Sequence, residues 1–265
     1  MLKAIMFDLD DTLIWDEKSV DEAFDAACGL AAQTYDINPD VLKKEVQVIA
    51  PKLFASYDTY EFTKMIGISP FEGLWGTFDD MGESFQQLKE LVPEYRKRVW
   101  TEGLLALGID DPKLGTQLAA TFQEERRTKQ FVYEETFEVL NELNDDYQLL
   151  MLTNGSPDLQ WTKLSITPEL KPYFEHIVIS GAYGKGKPAT DIFAYACDLL
   201  SVEKEEALMV GDNLHTDILG ASDAGVPSAW INHHRTKHQE IVPTYELSRL
   251  RELLPIVKGH TKEKN

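Results

Sequence analysis

The chain has 265 residues, too many for a minimal single core and enough for one large or two modest domains. Its 45 Asp+Glu against 26 Lys+Arg leave a formal net charge of −19 with no basic patch, which argues against nucleic acid or an anionic membrane as a partner. No apolar run approaches the about 18 residues of a membrane span, no basic-then-apolar leader precedes the first strand-like run, and Cys28 and Cys197 make no disulfide framework, so a cytoplasmic protein is expected.

In chain order, the first element is the apolar run Ala4–Phe7, of strand length, which ends in the acidic cluster Asp8-Leu9-Asp10-Asp11-Thr12. Helical periodicity follows around Val20–Thr34, Pro39–Phe54, Pro93–Leu107 and Lys113–Thr128, punctuated by Gly67, Pro70, Gly73, Gly76, Gly82 and Gly108. Four more strand-like runs come next: Leu149–Leu152, Ile177–Ile179, Ala207–Val210 and Ala229–Ile231. The first three of these end in the polar clusters TNGS, SGAYGKGKP and GDNLHTD, and helix-like stretches separate all four. Alternating strand and helix predicts an α/β protein with a doubly wound, Rossmann-like parallel sheet, its polar clusters meeting at the carboxyl ends of the strands. The long interval after the first strand does not fit one crossover and predicts an inserted all-helical domain. The expected division is a core of residues 1–16 and 130–257, a helical cap of residues 17–129, and a flexible polar tail, 258–265. Phe71, Trp75, Phe78 and Trp100 are expected in the core of the cap.

Alternate residues of an extended chain share a face, so Asp8 and Asp10 point the same way. Two facing carboxylates do not both stay charged and unpaired; one takes a proton or a cation sits between them. Asp212 and Asp217 add acid groups at another strand end, and hard oxygen ligands of this kind suit Mg²⁺. Thr153 offers a hydroxyl, and Asn154-Gly155 offer turn amides ahead of a helix beginning near Pro157, an anion-binding arrangement. Lys187 or Lys185, in a glycine-flanked loop, brings an ammonium to the same edge. A carboxylate pair, a divalent ion, a hydroxyl and a lysine together describe a phosphoryl-transfer site.

The ordered set DLDDT at Asp8–Thr12, LTN at Leu152–Asn154, KP at Lys187-Pro188 and GDNLHTD at Gly211–Asp217 resembles the haloacid dehalogenase superfamily, in its phosphatase branch with a helical cap after the first strand. The resemblance spans essentially the whole chain. It implies Mg²⁺-dependent hydrolysis of small phosphomonoesters, with Asp8 the nucleophile that becomes an aspartyl phosphate and Asp10 the acid and then the base. It further implies Mg²⁺ held by the carboxylates of Asp8 and Asp212 and the backbone carbonyl of Asp10, with Asp217 a ligand or a support behind the ligands. Thr153 and Lys187 are implied to bind the phosphoryl oxygens, Lys187 also to pair with Asp8, and Asn213 to orient. Thr12, Asn154 and Gly155 complete the implied substrate contacts, and Lys187 is preferred to Lys185 because it directly precedes Pro188.

An acid two residues after the nucleophile separates branches of that superfamily. A halide leaves without a proton, whereas an alkoxide needs one, so Asp10 favours a phosphatase over a dehalogenase. Lys18 and Lys64 keep a Schiff-base phosphonate hydrolase as a minor alternative, and a binding protein without turnover is the rival from another class. Members with a similar cap make phosphoserine the first expected substrate, with Glu17, Glu124 and Glu125 available for its ammonium and Arg126 and Arg127 for its carboxyl group. A nucleoside monophosphate, for which Trp15, Trp75 and Trp100 would offer stacking surfaces, or a sugar phosphate comes next. Plainer readings cover the rest: Arg126, Arg127 and Lys129 as a solvated helix face, His233, His234 and His238 as a solvated loop, His215 as a polar loop residue. Oligomeric state is left open.

Overall fold

The computed structural model describes residues 1–237 and 240–261, and His238 lies outside them. In chain order the elements are β1 (Ala4–Phe7), α1 (Asp16–Thr34), α2 (Pro39–Phe54), α3 (Tyr60–Ile66), α4 (Pro70–Gly73), α5 (Glu83–Ala106), α6 (Pro112–Thr128), α7 (Thr136–Asn144), β2 (Gln148–Thr153), α8 (Pro157–Ile166), β3 (His176–Ile179), α9 (Ser180–Tyr183), α10 (Thr190–Leu200), β4 (Ala207–Gly211), α11 (Leu219–Ala224), β5 (Ser228–Ile231), β6 (Tyr245–Leu247) and α12 (Leu253–Thr261). They form two compact units. One comprises Met1–Trp15, Phe131–Asn154 and the chain from Thr167 onward; the other comprises Asp16–Gln130 and Gly155–Ile166.

The first unit is a doubly wound α/β core. Its six strands are ordered β3-β2-β1-β4-β5-β6, every pair parallel. All four residues of β1 are buried, as befits a central strand covered on both faces. On one face Ala4, Met6, Leu152 and Met209 pack against Ile192, Phe193 and Ala196 of α10 and Ala221 of α11. Strand order reverses between β1 and β4, and the crevice outside such a switch point is where sheets of this kind bind ligands. Sequence patterning did not predict β6, a three-residue edge strand in which only Leu247 is buried, too short to show alternation.

The second unit is all helical, built on a core of Phe24, Leu42, Val46, Trp75, Phe78, Tyr95, Trp100, Leu118 and Phe122. The aromatic residues expected there are in place, with Phe71 half-buried against Phe24. Helix starts follow their local signals: Asn38 accepts from the Asp40 amide ahead of α2, and Asp111 accepts from the Leu114 amide ahead of α6, each followed by a proline. Helix α5 differs from the expected Pro93 start. It runs through Pro93 from Glu83, because Phe85, Leu88, Val92, Tyr95 and Val99 form one continuous buried stripe. That burial outweighs the roughly 3 kcal/mol cost of an interior proline. Helix α8, expected in the core, groups with the helical unit. Asp80 accepts from the Asp158 amide at its start, Thr77 donates to the Asp158 carboxylate, and the Gly155 amide donates to the Ile66 carbonyl.

Inside the helical unit lies a buried ionic cluster. Arg126, 1% exposed, donates through Nη2 to Asp16 Oδ1 at 2.7 Å and lies 5.0 Å from the Trp75 ring centre; Lys163, also 1% exposed, sits 3.2 Å from Glu72 Oε1 and 3.9 Å from Asp16. The solvated helix face holds for Arg127 and Lys129 but not for Arg126. Burial alone would push the Asp16 carboxyl up, but Lys163 and Arg126 outweigh it and hold it below the usual range. The contribution of this group is therefore present at neutral pH and lost on acidification. Arg126→Met is expected to cost about 3 kcal/mol in urea unfolding, because it takes from Asp16 its closest counter-charge and leaves the more distant Lys163 as the nearest remaining cation. Adding Asp16→Asn should recover part of that loss, and additive losses would contradict the pairing.

Candidate active site

Asp8 is the first residue past β1, and its amide donates to the Val210 carbonyl at 2.9 Å, so the side chain is fixed at the carboxyl edge beside β4. The chain then folds into a tight turn: the Leu9 carbonyl accepts from the Leu13 and Ile14 amides at 3.0 and 3.1 Å. Asp11 has φ 53°, a left-handed conformation that aspartate tolerates better than most residues. Asp10 precedes it, half-buried.

Lys187 organises the neighbouring groups. Its side chain is 1% exposed, and its Nζ reaches Asp8 Oδ1 at 2.8 Å, Asp217 Oδ1 at 2.7 Å and the Leu152 carbonyl at 2.7 Å, using all three ammonium protons. Its backbone is held as firmly. Asn154 Oδ1 accepts from the Lys187 amide at 2.8 Å and Asn154 Nδ2 donates to the Lys187 carbonyl at 2.9 Å. This approach needs glycine at position 186, where a Cβ would stand 2.7 Å from Asn154 Oδ1. Lys185 is exposed and pairs with Asp191.

The strand end after β4 supplies the remaining carboxylates. Asp217 is fully buried, with Oδ1 on Lys187 and Oδ2 accepting from the Asn213 amide at 3.1 Å. Asn213 in turn accepts from the His215 and Thr216 amides, capping the single π-helical turn Leu214–Ile218 that carries Asp217. Gly211 is required here, since a Cβ would lie 2.2 Å from Asp217 Oδ2. Asp212 is half-buried, and its carbonyl accepts from Trp230 Nε1 at 2.7 Å. One oxygen each from Asp8, Asp212 and Asp217 lies within 4.8 Å of the others.

The charges do not balance. Burial, with Asp217 adding, pushes the Asp8 carboxyl up to about 6 against the pull of Lys187. Burial and then the charges of Asp217, Asp8 and Asp11 raise Asp212 well above the usual carboxylate range. Burial would lower Lys187, but Asp217 and Asp8 outweigh it and raise it. Three close carboxylates against one lysine leave an excess of negative charge, and an all-oxygen donor set of this kind fits a hard divalent cation.

Comparison with known proteins settles the family. The profile of the haloacid dehalogenase-like hydrolases matches residues 2–225. The chain belongs to that family. A phosphoserine phosphatase from Thermus thermophilus is 32% identical over 256 residues, covering 95% of this chain and 98% of its own. A glyceraldehyde 3-phosphate phosphatase from Methanopyrus kandleri is 28% identical over 275 residues, covering 99% and 100%. The HAD-hydrolase YfnB from Bacillus subtilis, solved with magnesium bound, superposes with a TM-score of 0.68 at 22% identity, covering 97% of this chain and 98% of its own, a likeness of fold.

In this hydrolase the expected site residues other than Gly155 all belong to the α/β unit. Asp8, Lys187, Asp212 and Asp217 converge as described. Thr153 ends β2, buried, and Thr12 is buried with an Oγ1 that has no hydrogen-bond partner among the described residues. Gly155 groups with the helical unit, and its amide donates to the Ile66 carbonyl at 3.0 Å. His215 and His234 are exposed, as expected of loop residues. His233 is not simply solvated: its Nε2 lies 2.7 Å from the Asp11 carbonyl and its ring stacks on Tyr133. No local pattern signals that contact, because it joins residues at opposite ends of the chain.

Proposed function

We propose that this HAD-type phosphatase hydrolyses small phosphomonoesters in two steps through an aspartyl phosphate on Asp8, with Mg²⁺ as cofactor. The observation that carries the reading is the Asp8–Lys187–Asp217 cluster, with Asp212 beside it, at the switch point of the sheet. A carboxylate oxygen of Asp8 attacks phosphorus while Asp10 gives its proton to the departing alkoxide. Asp10 then takes a proton from the water that attacks the acyl phosphate, releasing inorganic phosphate and restoring both carboxyl groups. The Lys187 charge offsets that of the transferred oxygens, and the Thr153 hydroxyl donates to one of them.

Asp8, Asp212 and the Asp10 carbonyl would hold the cation, which supplies Lewis-acid neutralisation of the phosphoryl charge. Asp217, with both oxygens engaged, serves in this reading as the anchor of Lys187 more than as a ligand. Asn154 acts by holding the Lys187 backbone, and Thr12 keeps a hydroxyl available for a phosphoryl contact. The helical unit takes the part of a substrate-selecting cap.

Phosphoserine is the first-choice substrate, supported by the Thermus thermophilus relative that matches along nearly the whole chain. Nucleoside monophosphates and sugar phosphates follow, and Asp10 argues against a dehalogenase. Cytoplasmic residence belongs to the same reading, supported by two free, buried cysteines; no helix among the described residues is long and apolar enough to cross a membrane. The test compares kcat/KM for phosphoserine, nucleoside monophosphates and sugar phosphates at one Mg²⁺ concentration. Phosphoserine should lead, with all turnover lost to a chelator and restored by Mg²⁺. A nucleotide ahead by about a hundredfold, or about 2.7 kcal/mol of transition-state discrimination, would replace the substrate assignment. Full activity in excess chelator would remove the metal.

A further inference from the structure

We propose that His233 is a positioning residue for the acidic turn after β1, acting through the backbone carbonyl of Asp11 to hold Asp10 in register with Asp8. The inference rests on the role of Asp10 as general acid in the proposed reaction. The contact is short, with His233 Nε2 2.7 Å from the Asp11 oxygen. A carbonyl only accepts, so Nε2 carries the proton and the ring is the donor.

The loop that carries His233 is built to aim it. Asn232, 4% exposed, donates its amide to the Leu247 carbonyl at 2.7 Å and its Nδ2 to Glu246 at 2.7 Å and to the Thr236 carbonyl at 3.0 Å. Its Oδ1 accepts from the Thr236 amide and hydroxyl at 2.8 and 3.2 Å, and its carbonyl accepts from the Arg235 amide, closing a turn around His233. One ring face is fixed as well. His233 stacks on Tyr133 at 4.8 Å and 13°, and Tyr133 stacks on Trp15 at 5.5 Å and 15°. The backbone of those two residues is tied to the chain after the acidic turn: the Trp15 amide donates to the Phe131 carbonyl and the Tyr133 amide to the Leu13 carbonyl.

Asp11 is the residue of the turn that needs such a hold. Its φ of 53° places it in the left-handed region, which residues other than glycine adopt only when their surroundings hold them there. A hydrogen bond to its carbonyl fixes the plane of the peptide that follows and, through the short turn, the direction of Asp10. The pairing of Asp8 with Lys187 is anchored separately by β4 and Asn154, so the phosphate pocket does not depend on His233. Loss of the donor should therefore slow proton transfer to the leaving group and leave ground-state binding intact.

Two variants separate the donor from the ring. His233→Phe keeps the stack and removes the donor; His233→Gln keeps an N–H donor and removes the ring. Both are assayed on an alkyl and an activated aryl phosphate, alone and combined with Asp10→Asn, with melting temperatures measured alongside. His233→Phe should lower kcat for the alkyl ester by about tenfold to a hundredfold with KM within about twofold, lower it less for the aryl ester, and add nothing to Asp10→Asn. His233→Gln should recover most of the rate. Equal losses on both esters, losses additive with Asp10→Asn, or a glutamine variant as slow as phenylalanine would overturn the proposal. A readout free of turnover is the imidazole ¹⁵N spectrum of wild type, which should show an Nε2–H tautomer with slow proton exchange; an Nδ1–H tautomer would overturn the contact itself. An enzyme inactive on every phosphate ester but showing the Nε2–H tautomer would count against the proposed reaction and, with it, the catalytic purpose of the contact.

Discussion

Lys187→Met should cost about 3–5 kcal/mol of stability in the metal-free protein and at least about a hundredfold in kcat. The ammonium is the cation that lies between Asp8 and Asp217, and it also satisfies the Leu152 carbonyl. Methionine fills much of the volume but leaves two buried carboxylates facing each other without a counter-charge. The pH dependence fixes the sign. Burial pushes the Asp8 carboxyl up from an ordinary 3.8 to about 6 in the folded protein, so its contribution to stability is present below pH 3.8 and lost as pH rises through about 6. Removing the lysine pushes that carboxyl higher still. The deficit of the variant in melting temperature should therefore widen as pH rises toward neutrality, and Mg²⁺ should narrow it. A pH-independent deficit would mean that lost packing, rather than uncompensated charge, accounts for the effect. Lys187→Arg is not expected to rescue, because a planar fork cannot place three protons on Leu152, Asp8 and Asp217 from one nitrogen.

The legible parts of this molecule are those in which local sequence and global fold ask for the same thing. Strands β1, β2, β4 and β5 are almost wholly buried and β3 half so, so each carries a short apolar run, and the runs end in polar residues because the sheet edge is where the chain turns. Helices α2 and α6 announce their starts with Asn38-Pro39 and Asp111-Pro112. Helix α5 misleads because a proline that usually marks a first turn lies inside a helix whose buried stripe extends on both sides of it. In the site, Asp8, Lys187 and Asp212 were legible as clusters at strand ends. The roles of Asn154, which clamps the Lys187 backbone, and of His233, which meets Asp11, were not. Neither was the burial of Arg126. Each depends on a partner far away in sequence, and a single chain read by periodicity carries no signal for a contact between distant loops.

The largest effect belongs to Asp8. Asp8→Asn removes the attacking oxyanion and one charge of the proposed cation site, and removal of a nucleophile of this kind costs on the order of 10⁶-fold in kcat. The side chains are nearly isosteric, so the variant should fold, and its melting temperature should match or exceed that of the metal-free wild type because a burdened carboxylate is gone. The most direct measurement is a rapid acid quench of the wild type during turnover of a radiolabelled phosphate ester, followed by peptide mapping. An acyl phosphate, cleaved by hydroxylamine, is expected on the peptide containing Asp8 and absent from Asp8→Asn. Label on any other residue, or an Asp8→Asn enzyme within about tenfold of wild type, would contradict it.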